Sequence, residues 1–141
     1  MKKLNKDEVS SFANKKFKGD KVALDNAANI NPDHAYTVDD VLITLFDGNK
    51  SVKNDYLLNL KNGLDEMSKR DKSYTSIIKT INNNQVLIIN ETWGNVGYYK
   101  FFCYNSTKSS ALNGTLQFDK SDQDKASKML NDILTDIKFK N

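Results

Sequence analysis

Cys103 and His34 are each the only residue of their type in this 141-residue chain. A thiol beside an imidazole is the smallest set that supports nucleophilic catalysis, but these two sit in unsuitable contexts. Cys103 lies in an apolar run with Phe101, Phe102 and Tyr104, which predicts a buried, inert thiol. His34 falls in an asparagine-rich stretch without flanking catalytic residues. One cysteine also rules out an internal disulfide and a cysteine-rich zinc site. The acidic pairs Asp39-Asp40 and Asp65-Glu66 are adjacent in sequence, so on a strand or helix their carboxylates diverge. The run from Asp119 to Asp124 carries oxygen ligands but lacks the glycine and the final glutamate of a calcium loop, and capping a helix explains it better. No phosphate-binding glycine pattern is present. These residues predict no catalytic set, no metal and no cofactor.

The run from Trp93 to Tyr104 is the one stretch with functional pull. Two-sided burial under helices is one account of these rings; on the other, a sheet covered on one face would expose aromatic side chains of the kind enriched at protein interfaces, and Trp93, Asn95, Tyr98, Tyr99 and Phe101 are then the candidate partner-binding residues.

Charge narrows the partner. There are 21 basic and 18 acidic residues, a net charge of +3, and Arg70 is the only arginine. Basic residues cluster near the start, at Lys2, Lys3 and Lys6 and from Lys15 to Lys21, and otherwise mix evenly with acids. Nucleic-acid recognition favours concentrated arginine, so a protein partner is expected and a nucleic acid is not. The Asn90, Asn105 and Asn113 glycosylation patterns are coincidences of an asparagine-rich chain. No stretch reaches the roughly 18 apolar residues of a membrane span. Asn5, Lys6, Asp7 and Glu8 follow the basic start where a signal peptide needs an apolar run, so a cytoplasmic location is expected. The alternative is a periplasmic or lipid-anchored location for a protein whose leader has been removed.

The elements that would position these residues follow from periodicity. Asn5 and Glu8 have capping-box spacing and open a short helix over 6–18, with Val9, Phe12, Ala13 and Phe17 on one face. Residues 22–24 form a short apolar patch and 25–34 read as a loop. A strand is predicted over 36–46. A helix over 52–69, capped by Ser51 or Asn54, carries the stripe Val52, Tyr56, Leu57, Leu60, Leu64 and Met67, and its Gly63 suggests a close backbone neighbour. Strands over 74–81, 85–93, 98–105 and 114–118 follow as hairpins, with a polar, exposed connection over 106–113. A last helix, capped by Asp119 or Ser121, runs through Ala126, Met129, Leu130, Ile133, Leu134 and Ile137. The expectation is one α+β domain over 1–141, in which the helix over 5–18 packs on a core over 36–139 and about five or six antiparallel strands carry the helices. The two longer helices are expected on one sheet face, leaving the short first helix for the other.

This element order, most visibly the hairpins over 85–118 and the closing Ala126, Met129, Leu130, Ile133, Leu134, Ile137 stripe, resembles the PsbP/Mog-like α/β/α fold, which includes DcrB-like bacterial proteins. The match departs at the N-terminal helix, where an opening strand belongs. The resemblance implies a non-enzymatic binding role, as in assembly factors, small-GTPase regulators, lipoproteins or bacterial secretion chaperones; with no catalytic set in the residues, the expectation is a protein-binding module such as a bacterial secretion adaptor, chaperone or immunity protein. The alternative is the ligand-binding domain of a cell-envelope lipoprotein. Fold alone names no partner.

Overall fold

The computed structural model describes residues 2–17, 35–48 and 52–139. In chain order these form β1 (Lys2–Leu4), α1 (Lys6–Lys16), β2 (Ala35–Val38), β3 (Val41–Asp47), α2 (Tyr56–Met67) and β4 (Thr75–Ile81). There follow β5 (Asn84–Trp93), β6 (Val96–Tyr104), β7 (Ala111–Asp119), a 3-10 turn (Lys120–Asp122) and α3 (Gln123–Asp136). The described strands make one sheet in the order β1-β2-β3-β7-β6-β5-β4, with every neighbouring pair antiparallel. β4 to β7 are successive hairpins that return to lie beside β3, while α2 makes the long crossing from β3 to β4.

The expected five or six strands are therefore seven, for two physical reasons. The single strand expected over 36–46 is a hairpin. Asp39 and Asp40 sit at φ of 48° and 67°, a left-handed region that short polar side chains tolerate, and they turn β2 into β3. The basic Lys2 and Lys3 belong to β1, which is only three residues long and pairs with β2. The asparagine turn Asn82-Asn83, at φ of 55° and 66°, closes the β4–β5 hairpin in the same way. β6 starts at Val96, so Gly97 lies inside a strand. β7 starts at Ala111, so the polar connection is shorter than expected, and its Lys108 is 4% exposed with Nζ donating to Gln85 Oε1 at 2.8 Å.

Alternation along the strands gives the sheet two different faces. On one, Val41, Ile43, Val86, Ile88, Tyr99, Phe101, Cys103, Leu116 and Phe118 form a single apolar cluster under Ala126, Leu130 and Leu134 of α3. On the other there are two separate clusters. Leu42, Val96 and Tyr98 pack under Val9, Ala13 and Phe17 at α1. Leu87, Ile89, Tyr104 and Ala111 pack under Leu57 of α2, with Leu60 and Leu64 beside it. Thr44, Gln117 and Glu91 are buried polar residues of this second face, and Glu91 Oε1 pairs with Lys100 Nζ at 3.0 Å. The expected sharing of one face by the two longer helices is thus corrected. Among the described residues α1 and α2 divide one face, and α3 covers the other, which is continuously apolar.

Glycines decide how two rings of that continuous face lie. Gly97 pairs with Phe118 and Gly114 with Phe101 across β6 and β7. A Cβ at Gly97 would meet the Phe118 ring at 2.3 Å, and one at Gly114 would meet the Phe101 ring at 2.3 Å. Each phenylalanine therefore lies flat on the bare backbone of its neighbour, an arrangement that fills the space a strand glycine leaves.

The helix ends follow local chemistry. Both halves of the Asn5/Glu8 capping box are present: Glu8 N–H donates to Asn5 Oδ1 at 2.9 Å and Asn5 N–H to Glu8 Oε1 at 3.3 Å. α2 begins about a turn later than expected, with Asp55 at its N-cap in place of Asn54 and without a side-chain cap bond. Asp119 accepts from the Ser121 N–H at 3.0 Å and caps the 3-10 turn that leads into α3. After α3 the chain is extended: Asn82 Nδ2 donates to Thr135 O at 2.6 Å and Asn84 Nδ2 to Ile137 O at 3.2 Å, holding Ile137 and Phe139 against the α3 cluster. The predicted patch over 22–24, the loop over 25–34 with His34, and Ser51 as a cap fall outside the described residues.

Gly63 does not mark a close approach, since a Cβ there would find nothing within 4 Å. Replacing an exposed glycine inside a helix with alanine removes an entropic cost, so Gly63→Ala is expected to stabilise the protein by about 1 kcal/mol. A rise in the urea midpoint at unchanged slope checks it; a fall would mean that this helix face meets something.

Candidate interaction edge

The two ends of the sheet are protected unequally. Edge strands present unpaired backbone groups, and proteins blunt them with shortness and charge. β1 follows that rule, with three residues of which two are lysines. β4 does not: it is seven residues long, carries the single charge Lys79, and among the described residues nothing pairs with its outer side. Its register fixes which backbone groups face out. The two-residue turn makes Ile81 and Asn84 a hydrogen-bonded pair, so Lys79, Ile77 and Thr75 also bond inward to β5, while the N–H and C=O groups of Ser76, Ile78 and Thr80 point outward.

Large exposed apolar side chains occur on the elements near this edge, on both faces of the sheet: Ile77 pairs with Ile88 of the α3 face, while Trp93 alternates with Leu87 and Ile89 of the α2 face. Leu58 is 52% exposed, Met67 83%, Ile77 48% and Trp93 50%, and these four come from α2, β4 and the neighbouring β5. Trp93 ends β5 at the turn Gly94-Asn95, where Gly94 has φ 62°. That turn is fixed: Lys120 N–H donates to Asn95 O at 2.8 Å. Ser73 extends the β4–β5 ladder towards it, with its hydroxyl accepting from the Thr92 N–H at 3.0 Å and donating to Asp71 Oδ1 at 2.7 Å.

A cleft of about 400 Å³ lies between the end of α2 and β4, lined by Lys61, Asp65, Lys69, Asp71, Tyr74 and Ser76 among others. Asp65 is its hub. Lys61 Nζ meets Asp65 Oδ2 at 2.6 Å, and the Ser76 hydroxyl donates to Asp65 Oδ1. The Lys61 hydrogen bond, followed by that of Ser76, holds the Asp65 carboxyl below the usual range. The Tyr74 hydroxyl is buried beside this network, and burial, followed by the charge of Asp65, pushes its pKa up to about 12. A carboxylate committed to a lysine and a serine is a weak base, and Ser76 has no base to activate it. The network is a polar joint that fixes α2 to β4.

The residues read from sequence separate here. Trp93 and Asn95 are exposed at the hairpin tip. Tyr98, Tyr99 and Phe101 are not surface residues: they are 2%, 8% and 0% exposed. Tyr98 lies under α1, and the Tyr99 ring stacks on Phe118 at 5.5 Å while its hydroxyl accepts from Gln123 Nε2. Phe101 covers Gly114. They are core because the sheet has helices on both faces. Ile77 and Met67 are the exposed apolar residues that replace them. Their signal in the sequence is faint, an isoleucine beside another in a strand otherwise polar up to Ile81, and a methionine at the end of a helical stripe.

Cys103 is fully buried, and burial pushes its thiol up to about 12, which keeps it protonated and unreactive. Among the described residues no group of three or more histidine, cysteine, aspartate or glutamate side chains could hold a metal, and no helix is long and apolar enough to cross a membrane. No protein-family model and no curated protein matches this chain.

Proposed function

We propose that this chain is a non-enzymatic protein-binding module whose partner surface is the β4 side of the sheet, including Ile77 and Trp93. The observation that carries this is the inequality of the two edges: one is short and lysine-guarded, the other long, unpaired among the described residues, and carrying the exposed Ile77. A folded protein that keeps such an edge bare is either aggregation-prone or uses it. Adaptor, chaperone and immunity roles all require this kind of surface, and a PsbP/Mog-like assignment agrees with it. We read the compartment as the cytoplasm, where a lone buried cysteine is ordinary. The rival reading, a ligand-binding domain, rests on two clefts of about 350 and 330 Å³ on either side of Ile137 to Phe139, at the opposite end of the sheet from Trp93.

Trp93 is the only tryptophan, so it reports on its own surface. Immobilised protein is used to capture partners from a cell extract. Each captured protein is then purified and titrated against the free chain while Trp93 emission is followed. A genuine partner shifts the emission to the blue, loses about tenfold or more in affinity against Trp93→Ala with Ile77→Ser, and binds Lys2→Glu as well as wild type. Partners that bind the double variant undiminished would remove this surface from consideration.

A further inference from the structure

The geometry points to strand addition by an acidic, extended segment of the partner, paired along β4. This rests on the protein-binding reading and names its mode and chemistry. Ser76, Ile78 and Thr80 offer outward N–H and C=O groups at alternate positions, the array that an added strand completes. Charge selects the occupant. Between Lys61 and Ile81 there are five basic and three acidic residues. Each acid is already held: Asp65 by Lys61, Glu66 by Lys69 at 2.8 Å, and Asp71 by Ser73 at 2.7 Å. Arg70, Lys72 and Lys79 are exposed, and no carboxylate among the described residues pairs with them. Three free cations beside an open edge favour a strand with acids among its side chains. They oppose a second copy of this chain, which would bring the same cations together.

The pleat sets the pattern of the incoming strand. Thr75, Ile77 and Lys79 project to the α3 face, while Ser76, Ile78 and Thr80 project to the α2 face beside the 400 Å³ cleft. An added residue next to Ile77 is apolar, the one two positions along, next to Lys79, is acidic, and those between are small or hydroxylated.

The probe is a fluorescein-labelled short peptide that alternates threonine with valine or glutamate in that order, compared with the same peptide carrying lysine for glutamate. Binding is read by anisotropy. The acidic peptide is expected to bind, more weakly as salt rises, and the lysine peptide to bind about tenfold or more weakly. Thr80→Pro removes one outward N–H and spares the β4–β5 ladder, a placement edge strands tolerate, so it should weaken the acidic peptide about tenfold while circular dichroism stays native. N-methylation of the peptide at alternate residues makes the same test without touching the protein: one phase abolishes binding and the other leaves it. Equal binding by Thr80→Pro and by both methylated phases would overturn strand addition yet leave a side-chain docking surface in place. Failure of the acidic peptide to bind, or binding of both peptides alike, would overturn the inference while the capture experiment stands by itself. A concentration-dependent dimer lost in Thr80→Pro would assign the edge to a second copy and overturn it also.

Discussion

Gly114→Ala is expected to lower the unfolding free energy by about 3 kcal/mol, although alanine is normally the better strand residue. Gly114 sits on β7 outside the left-handed region, so an alanine there carries no backbone strain. The entire cost is steric. Its Cβ would fall 2.3 Å from Phe101 Cζ and 3.1 Å from Leu45 Cδ2, and Phe101 is fully buried, where the packed interior resists displacement of a ring. The same substitution made in Phe101→Leu, which removes the offending ring, should cost less than about 1 kcal/mol, leaving a coupling of about 2 kcal/mol in a double-mutant cycle. Equal costs in the two backgrounds, measured by urea denaturation, would show that the ring does not lie on the glycine.

Leu134→Ala should cost a similar amount, about 3 kcal/mol, through a cavity under α3. Leu134 is fully buried in the large cluster on the α3 face, among Val41, Ile43, Val86 and Phe101. Leu58→Ala on α2 is the matched control. Its side chain is half-exposed, and the change should stay within about 0.5 kcal/mol. If the two leucines cost the same, the division of helices between faces is wrong.

That division marks the limit of what the residues reveal before folding. Local chemistry is strong in this chain, and it locates the capping box at Asn5, the α3 stripe, the Asn82-Asn83 turn and the hairpin order. These signals act over a few residues. Which face a helix covers depends on the register of strands far apart in sequence. Leu42, Gln117 and Tyr98 share a face only because β3, β7 and β6 align as they do. Asp39-Asp40 reads as part of one strand over 36–46, with diverging carboxylates, until both residues are seen at positive φ, where they become a turn and one strand becomes two. The same limit governs the candidate site. The aromatic run draws the eye to Tyr98, Tyr99 and Phe101, but side chains that large are also what a two-sided core requires, and the helices on both faces claim them. What stays outside is Trp93 at the tip and Ile77 on the edge. An edge is a property of strand order and has no local sequence signal.

Amide hydrogen exchange along β4 in the free protein, resolved by residue, tests the open edge most directly. The N–H groups of Thr75, Ile77, Lys79 and Ile81 bond to β5 and should be protected, whereas those of Ser76, Ile78 and Thr80 face solvent and should exchange far faster, giving alternate fast and slow residues along one strand. Uniform protection across all seven residues would mean that the outer side of β4 is already covered, and would contradict both the open edge and the function built on it.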